Sequence, residues 1–321
     1  MVLIMSKYDD NSTVYVTQWL LHWKVPFERI DLEEKYLVEI IYENNDGFDF
    51  SICNDQKRIK MSEVKAVWYR RGDLNLKMPN LHFISNENLL QEVKEHLLAE
   101  KAVLEHFFYY LMKEKPHIGT FHERAVNKLR VLHEASKLGI EIPETLVATD
   151  RQTVLSYTSS DLISKSIYEG LKVDYGTGKY TLYTEKINKN TLPETFFLSL
   201  FQTVIDKEAD IRSFYLDGKF YSMAIRSQSR EQTTTDFRKY LKGVGNRSFP
   251  FQLPKTLEEK LHNLMVKIGL NTGSLDIILT KEGRFVFLEV NPVGQFGMTS
   301  IPCNYFLEKN IANKLREPLC T

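Results

Sequence analysis

The stretch that decides the fold reads Ser274-Leu275-Asp276-Ile277-Ile278-Leu279-Thr280, then Lys281-Glu282-Gly283, then Arg284-Phe285-Val286-Phe287-Leu288-Glu289-Val290-Asn291-Pro292. Two runs rich in β-branched and aromatic residues flank a glycine turn, which is the pattern of a β-hairpin. A two-residue turn at Glu282-Gly283 sets Lys281 opposite Arg284 and, further out, Asp276 opposite Glu289. Carboxylates so placed have Cβ atoms roughly 4.5–5.5 Å apart and repel one another. Asn291 lies two residues past Glu289 and shares its face. Three oxygen donors on one hairpin face suit a hard cation such as Mg²⁺, which takes a few carboxylates together with substrate phosphates. The other reading of this spacing is a solvated sheet face with an acidic pair. A slip of one residue in register dismantles the set.

The chain of 321 residues is long enough for two or three sub-domains around a shared core. Lys plus Arg number 42 and so do Asp plus Glu, so the net charge is zero and no basic excess marks a nucleic-acid binder. Hydrophobic residues make up 43% and charged residues 26%, which excludes disorder as the main state. Cys53, Cys303 and Cys320 have no Cys-x-x-Cys spacing, so neither a disulfide framework nor a thiolate zinc site is expected. The apolar start Met1–Met5 is too short for a signal peptide or a membrane span and reads as a buried first strand. The expected location is the cytoplasm, with no membrane and no nucleic acid among the partners.

Outward from the hairpin, the chain alternates strands and helices, which places it in the mixed α/β (α+β) class. After the first strand, Val16, Trp19, Leu20 and Trp23 mark one face of a helix, and 25–30 reads as a second strand. Residues 36–63 read as a hairpin or meander with a turn at Asn45-Asp46-Gly47, and 64–69 as a strand ending at Arg70-Arg71. Residues 86–112 are helical in composition. Pro116 and Gly119 mark a first boundary, which closes an N-terminal α/β domain (1–118). A helix runs from about His122 to Leu138, with Lys128 near its start, Gly139 as its C-terminal cap and Pro143 beyond. Strand-like runs dominate 145–225, with helical stretches near 150–160 and 193–200. A further helix is expected near 256–268.

Several side chains along this course could carry chemistry. Lys165 interrupts the apolar strand Leu162–Ile167, and Lys is rarely buried without a partner, so an anionic ligand or an edge position explains it. The segment 168–179 is a glycine-containing loop or a plain hairpin; it is not a P-loop, because Val173 stands where the first glycine is needed. Asp210 and Arg212 point the same way on a strand, and Arg226 ends the next one, after the turn Asp217-Gly218. Two arginines near paired carboxylates suit a phosphorylated intermediate, and a surface ion-pair ladder is the plainer alternative. Arg70 and Arg71 sit at a strand end, where ligands of α/β units collect. No His-Glu-x-x-His, no Gly-x-Ser-x-Gly and no dinucleotide fingerprint (Gly243-Val244-Gly245 falls short) is present.

Taken in order, Asn127-Lys128, Gly139-Ile140-x-Ile142-Pro143-x-Thr145, the Lys165 strand, the glycine loop, Gln202 to Arg212, Asp276 and Glu289-Val290-Asn291-Pro292 resemble the ATP-grasp superfamily. Val67-Trp68-Tyr69-Arg70-Arg71, Lys207-Glu208-Ala209-Asp210-Ile211-Arg212, Ile225-x-Ser227-Gln228 and Asn291-Pro292-x-Gly294-Gln295 look like the graspetide maturases, the microviridin-like and grasp-with-spasm peptide macrocyclases. The resemblance implies an N-terminal pre-ATP-grasp domain (1–118), a central lid subdomain (119–200) and a C-terminal subdomain with the metal site (201–321). It implies ATP and Mg²⁺ as cofactors, a ribosomal precursor peptide (leader plus core) as substrate, and a homodimer. It assigns ATP phosphates to Lys128 and Lys165, the adenine side to Gln202, Val204 and Ile205, and the ribose or the substrate to Glu208 or Asp210. Mg²⁺ falls to Asp276, Glu289 and Asn291, the phosphorylated carboxylate or acceptor to Arg212 and Arg226, and substrate orientation to Arg70 and Arg71. The charged stretch 181–190 is a candidate leader surface. A ligase acting on a free amino acid or protein tail, and an ATP-binding regulator without turnover, stay open at this point.

Overall fold

The computed structural model describes residues 1–43, 47–122, 124–168, 172–175, 178–181, 185–226 and 247–320. The chain forms two compact units, Met1–Arg124 with Phe306–Thr321, and Ala125–Tyr305.

The first unit holds β1 (Val2–Ser6), α1 (Asn11–His22), β2 (Phe27–Asp31), β3 (Leu37–Glu43), β4 (Gly47–Cys53), β5 (Arg58–Lys60), β6 (Ala66–Tyr69), α2 (Glu87–Lys113) and β7 (His117–Ile118). A parallel sheet has the order β2-β1-β6-β7, and an antiparallel sheet the order β3-β4-β5. Val2, Leu3, Ile4 and Met5 are fully buried. That burial on both faces is why β1 reads as an unbroken apolar run instead of an alternation. In α1 the expected face divides by residue type. Val16 and Leu20 enter the core, while Trp19 and Trp23 stay half-buried under the C-terminal helix Leu307–Arg316. There the Arg316 guanidinium lies 4.0 Å from the Trp23 ring and the Lys309 amine 5.0 Å from the Trp19 ring, which are cation–π contacts.

The second unit holds α3 (Lys128–Lys137), β8 (Thr145–Asp150), α4 (Arg151–Tyr157), β9 (Leu162–Lys165), β10 (Lys172–Tyr175), β11 (Gly178–Thr181), β12 (Glu185–Lys186), β13 (Thr195–Thr203), β14 (Lys207–Leu216), β15 (Lys219–Arg226), β16 (Arg247–Phe251), α5 (Lys255–Lys267), β17 (Thr272–Thr280), β18 (Phe285–Asn291) and α6 (Gly297–Cys303). Two expectations need correction. The stretch 193–200 enters strand β13, because Leu200 and Phe201 are buried between β8 and β9 and its aromatic and β-branched residues favour a pleated surface. The helix expected from His122 starts at Lys128, where the Asn127 side chain accepts the Arg130 amide at 3.1 Å and fixes the first turn.

A five-stranded antiparallel sheet, β16-β15-β14-β17-β18, is the floor of this unit. One face packs on α3 and α5 through Val131, Leu132, Leu261, Leu264, Ile211, Leu275, Ile277 and Val290. The opposite face carries Asp210, Arg212, Ser274, Asp276 and Glu289, by alternation along the same strands. A second sheet, β12-β9-β13-β8, closes on Ala148, Val154, Leu162 and Phe201. Among the described residues no helix is long and apolar enough to cross a membrane.

Leu261 is fully buried in the larger core. Leu261→Ala is expected to cost about 2–5 kcal/mol, read as a lower urea midpoint with an unchanged slope.

Candidate functional site

The hairpin of β17 and β18 brings its carboxylates together by a route the sequence does not show. The loop has three residues, Lys281, Glu282 and Gly283: the Thr280 amide donates to the Arg284 carbonyl at 2.9 Å and the Gly283 amide to the Thr280 carbonyl at 3.0 Å. Gly283 sits at φ +80°, where a side chain is disfavoured. Thr280, not Lys281, therefore faces Arg284. Lys281 instead meets Asp206 at 2.8 Å. Continued outward, this register would put Leu288 opposite Asp276. An extra residue on β18 intervenes: Ile277 pairs with Phe287, yet Asp276 pairs with Glu289. The bulge at Leu288 offsets the longer loop, and the two carboxylates face each other.

Arg212 on β14 pairs with Asp276 on its other side. One cross-strand row thus reads Arg212, Asp276, Glu289. Arg212 Nη1 lies 3.6 Å from Asp276 Oδ1, and Lys128 Nζ lies 3.5 Å from Glu289 Oε2. Each anion has a cation at its outer side, which offsets the repulsion between them without closing the space between. Lys128 Nζ also reaches the carbonyl of Ser166 at 3.4 Å. That contact sets it beside the end of β9, where Lys165 is half-buried and pairs with Leu200.

The remaining candidates lie around this row or apart from it. Gln202 is 1% exposed; its Nε2 donates to Thr145 Oγ1 at 3.1 Å, and its Oε1 has no partner among the described residues. The segment after it is tied down by the Thr203 amide to Glu144 O and the Val204 amide to Asp161 O; Ile205 comes next, in the connection to β14. Asp210 is buried on the Arg212 face and is held by Lys207 Nζ at 2.7 Å. Glu208 and Arg226 pair with each other at 2.7 Å, both largely exposed. Arg226 is three residues from Met223, the β15 partner of Arg212, so alternation turns it to the other face. The structure does not gather it into the row.

Arg70 and Arg71 belong to the first unit, and they differ. Arg70 is 3% exposed, and its Nε lies 3.2 Å from Asp10, whose other oxygen caps α1 through the Thr13 amide. Burial pulls the Arg70 guanidinium down to about 10, with Asp10 opposing the shift. Arg71 is only half-buried. Glu169–Leu171, Gly176-Thr177, 182–184, Ser227-Gln228 and Gly243–Gly245 lie outside the described residues, so the glycine loop and the leader surface are described only in part. Within segment 168–181, β10 and β11 pair as an antiparallel hairpin, the plainer of the two readings of this stretch.

Among the described residues no three His, Cys, Asp or Glu cluster together. The donor set at the row is two facing carboxylates, with Asn291 at the strand end opposite Ser274. Two carboxylates with few further protein donors fit a cation that completes its shell with phosphate oxygens and water, as Mg²⁺ does. They do not fit a closed structural metal site.

No family model matches the chain, and no curated protein is found similar to it. Solved structures are similar over nearly its whole length. The macrocyclase MdnC from Microcystis aeruginosa, bound with precursor peptide MdnA, is 24% identical with a TM-score of 0.74, covering 98% of each chain. A Chryseobacterium gregarium RiPP-associated ATP-grasp ligase, in complex with ADP and a leader and core peptide, is 21% identical with a TM-score of 0.78, over 99% of this chain and 96% of that one. The chain has the ATP-grasp fold. The ATP-grasp ligase PsnB, complexed with a phosphomimetic precursor variant, Mg and ADP, has a TM-score of 0.71 at 15% identity, over 99% and 98% of the two chains.

Within this ATP-grasp fold, sequence reading passed over Lys207 and Ser274. The signal for Lys207 was its place three residues from Asp210 in a charged run; for Ser274, its place two residues before Asp276 on the same face. Arg212→Met should remove the cation beside Asp276 and lower stability by about 2–3 kcal/mol, below the fully buried figure because the Asp276 side chain is 22% exposed. Adding Asp276→Asn should recover most of that loss in a denaturation double-mutant cycle; strict additivity would contradict the pairing.

Proposed function

We propose that the chain is an ATP-dependent, ADP-forming carboxylate ligase that macrocyclises a ribosomally made precursor peptide through side-chain ω-ester or ω-amide links. The observation that carries this reading is the row Arg212–Asp276–Glu289 with Lys128 on its outer carboxylate, set in an ATP-grasp fold. Likeness along nearly the whole chain to ligases solved with precursor peptides supports the choice of substrate. Asp276, Glu289 and Asn291 would hold Mg²⁺, which neutralises phosphate charge when bound. Lys128 and Lys165 would meet the phosphates. Gln202, Val204 and Ile205 would line the adenine side, where the unpartnered Gln202 Oε1 is an acceptor suited to an exocyclic amine.

A carboxylate is a poor acyl donor because oxide is a poor leaving group. Transfer of the γ-phosphoryl group of ATP to a side-chain carboxylate gives an acyl phosphate and ADP. A Ser or Thr hydroxyl, or a Lys amine, of the same peptide then attacks the acyl carbon and loses its proton as phosphate departs. Arg212 is placed to offset charge on the reacting oxygens. Asp210, held by Lys207, and Glu208 are the acidic neighbours for ribose or acceptor. Arg226 and the half-exposed Arg71 are the cations for peptide carboxylates, while Arg70 steadies its own loop through Asp10. Of the expected central (119–200) and C-terminal (201–321) parts of the grasp, the second unit holds 125–305, and 306–321 pack with the first unit. A homodimer rests on the family resemblance, and the cytoplasm is the location proposed with it.

Intact mass spectrometry of the precursor peptide after incubation with enzyme, ATP and Mg²⁺ tests the reading. Successive losses of water, absent with Glu289→Ala, are expected. Addition of a residue to the peptide would establish the small-substrate ligase instead, and an unchanged mass with bound ATP would point to a different acceptor or a non-catalytic regulator.

A further inference from the structure

Ser274 is 1% exposed, and its Oγ has no hydrogen-bond partner among the described residues. A buried hydroxyl without a partner is uncommon and costly, and alanine would fill the same place without that cost. The surroundings narrow what the hydroxyl is for. On one side Ser274 pairs with Phe214, whose ring lies 5.5 Å from that of Phe296; both are buried and neither offers a polar atom from its side chain. Above it runs the turn Asn291–Gly294, closed by the Gly294 amide to the Asn291 carbonyl at 3.1 Å. A Cβ on Gly294 would fall 2.3 Å from Ser274 Oγ and 2.5 Å from its Cβ, so only glycine lets the turn settle over the hydroxyl. On the other side, directly across the ladder, is Asn291. Of the two side chains that flank Ser274 in that row, Asn291 is the polar one, exposed at the end of its strand and on the face of Asp276 and Glu289.

We propose that Ser274 is a positioning residue that holds the Asn291 side chain for the divalent cation. An amide oxygen has two lone pairs. When Asn291 turns inward, one can accept from Ser274 Oγ while the other faces the cation between Asp276 and Glu289. The hydroxyl then gains the partner it lacks here, and the amide is fixed oxygen-forward by a group that is not itself a ligand. The inference rests on reading Asp276, Glu289 and Asn291 as the cation's ligands.

The test is ADP binding, followed by calorimetry across a Mg²⁺ titration, for the wild type, Ser274→Ala, Asn291→Ala and the double variant. Ser274→Ala should raise the Mg²⁺ concentration for half-maximal ADP binding about tenfold and leave Mg²⁺-free ADP affinity unchanged. Its melting temperature without Mg²⁺ should equal or exceed that of the wild type, since no bond is lost in that state. In the Asn291→Ala background the substitution should add no further shift. An unchanged Mg²⁺ dependence in Ser274→Ala, or a shift that persists without Asn291, would overturn the positioning role. A wild type whose ADP binding ignores Mg²⁺ would overturn the ligand assignment itself, and this inference with it.

Discussion

Two carboxylates held face to face across a strand pair are the constraint around which the second unit is arranged. Like charges at that spacing repel, so the fold has to hold them there against their preference. It does so from below and from the sides. Below, Leu275, Ile277 and Val290 alternate with the acidic positions and lock both strands onto α3 and α5. A slip of one residue would expose these apolar side chains and bury the acids, so core burial enforces the electrostatic arrangement. At the sides, Arg212 and Lys128 each stand about one ion-pair distance from one carboxylate. A cation bound between the acids would relieve the remaining repulsion and so couple binding to stability.

The same economy explains the neighbouring charges. Lys207 and Asp210 neutralise each other in a nearly buried pair beside the row. Glu208 and Arg226 do so in solvent, where the pair contributes little. In the first unit Asp10 serves two partners, the α1 N-terminus and Arg70. A helix start and the end of β6 are thereby tied through one carboxylate.

Much of this was legible because it depends on period and residue type. The facing pair Asp276 and Glu289, the buried β1, the hairpin and α5 follow from alternation, apolar runs and helical spacing. The facing pair came out right for an incomplete reason: the three-residue loop and the Leu288 bulge shift the register in opposite senses, and neither leaves a mark that counting residues can find. The 193–200 stretch was ambiguous because short apolar runs fit helix and strand alike, and only burial between β8 and β9 decides it. Arg70 and Arg71 are equivalent in sequence, yet Arg70 is buried against Asp10 while Arg71 is only half-buried. Lys207 and Ser274 were passed over because a lysine or serine gains meaning only from what the fold sets beside it.

The most direct test of the central claim is a crystal structure with ADP and Mn²⁺, read by anomalous scattering. A metal peak bound by both the Asp276 and the Glu289 carboxylates is expected, with nucleotide phosphate oxygens completing its shell. A metal held elsewhere, or a bound nucleotide with no metal between those two side chains, would contradict it.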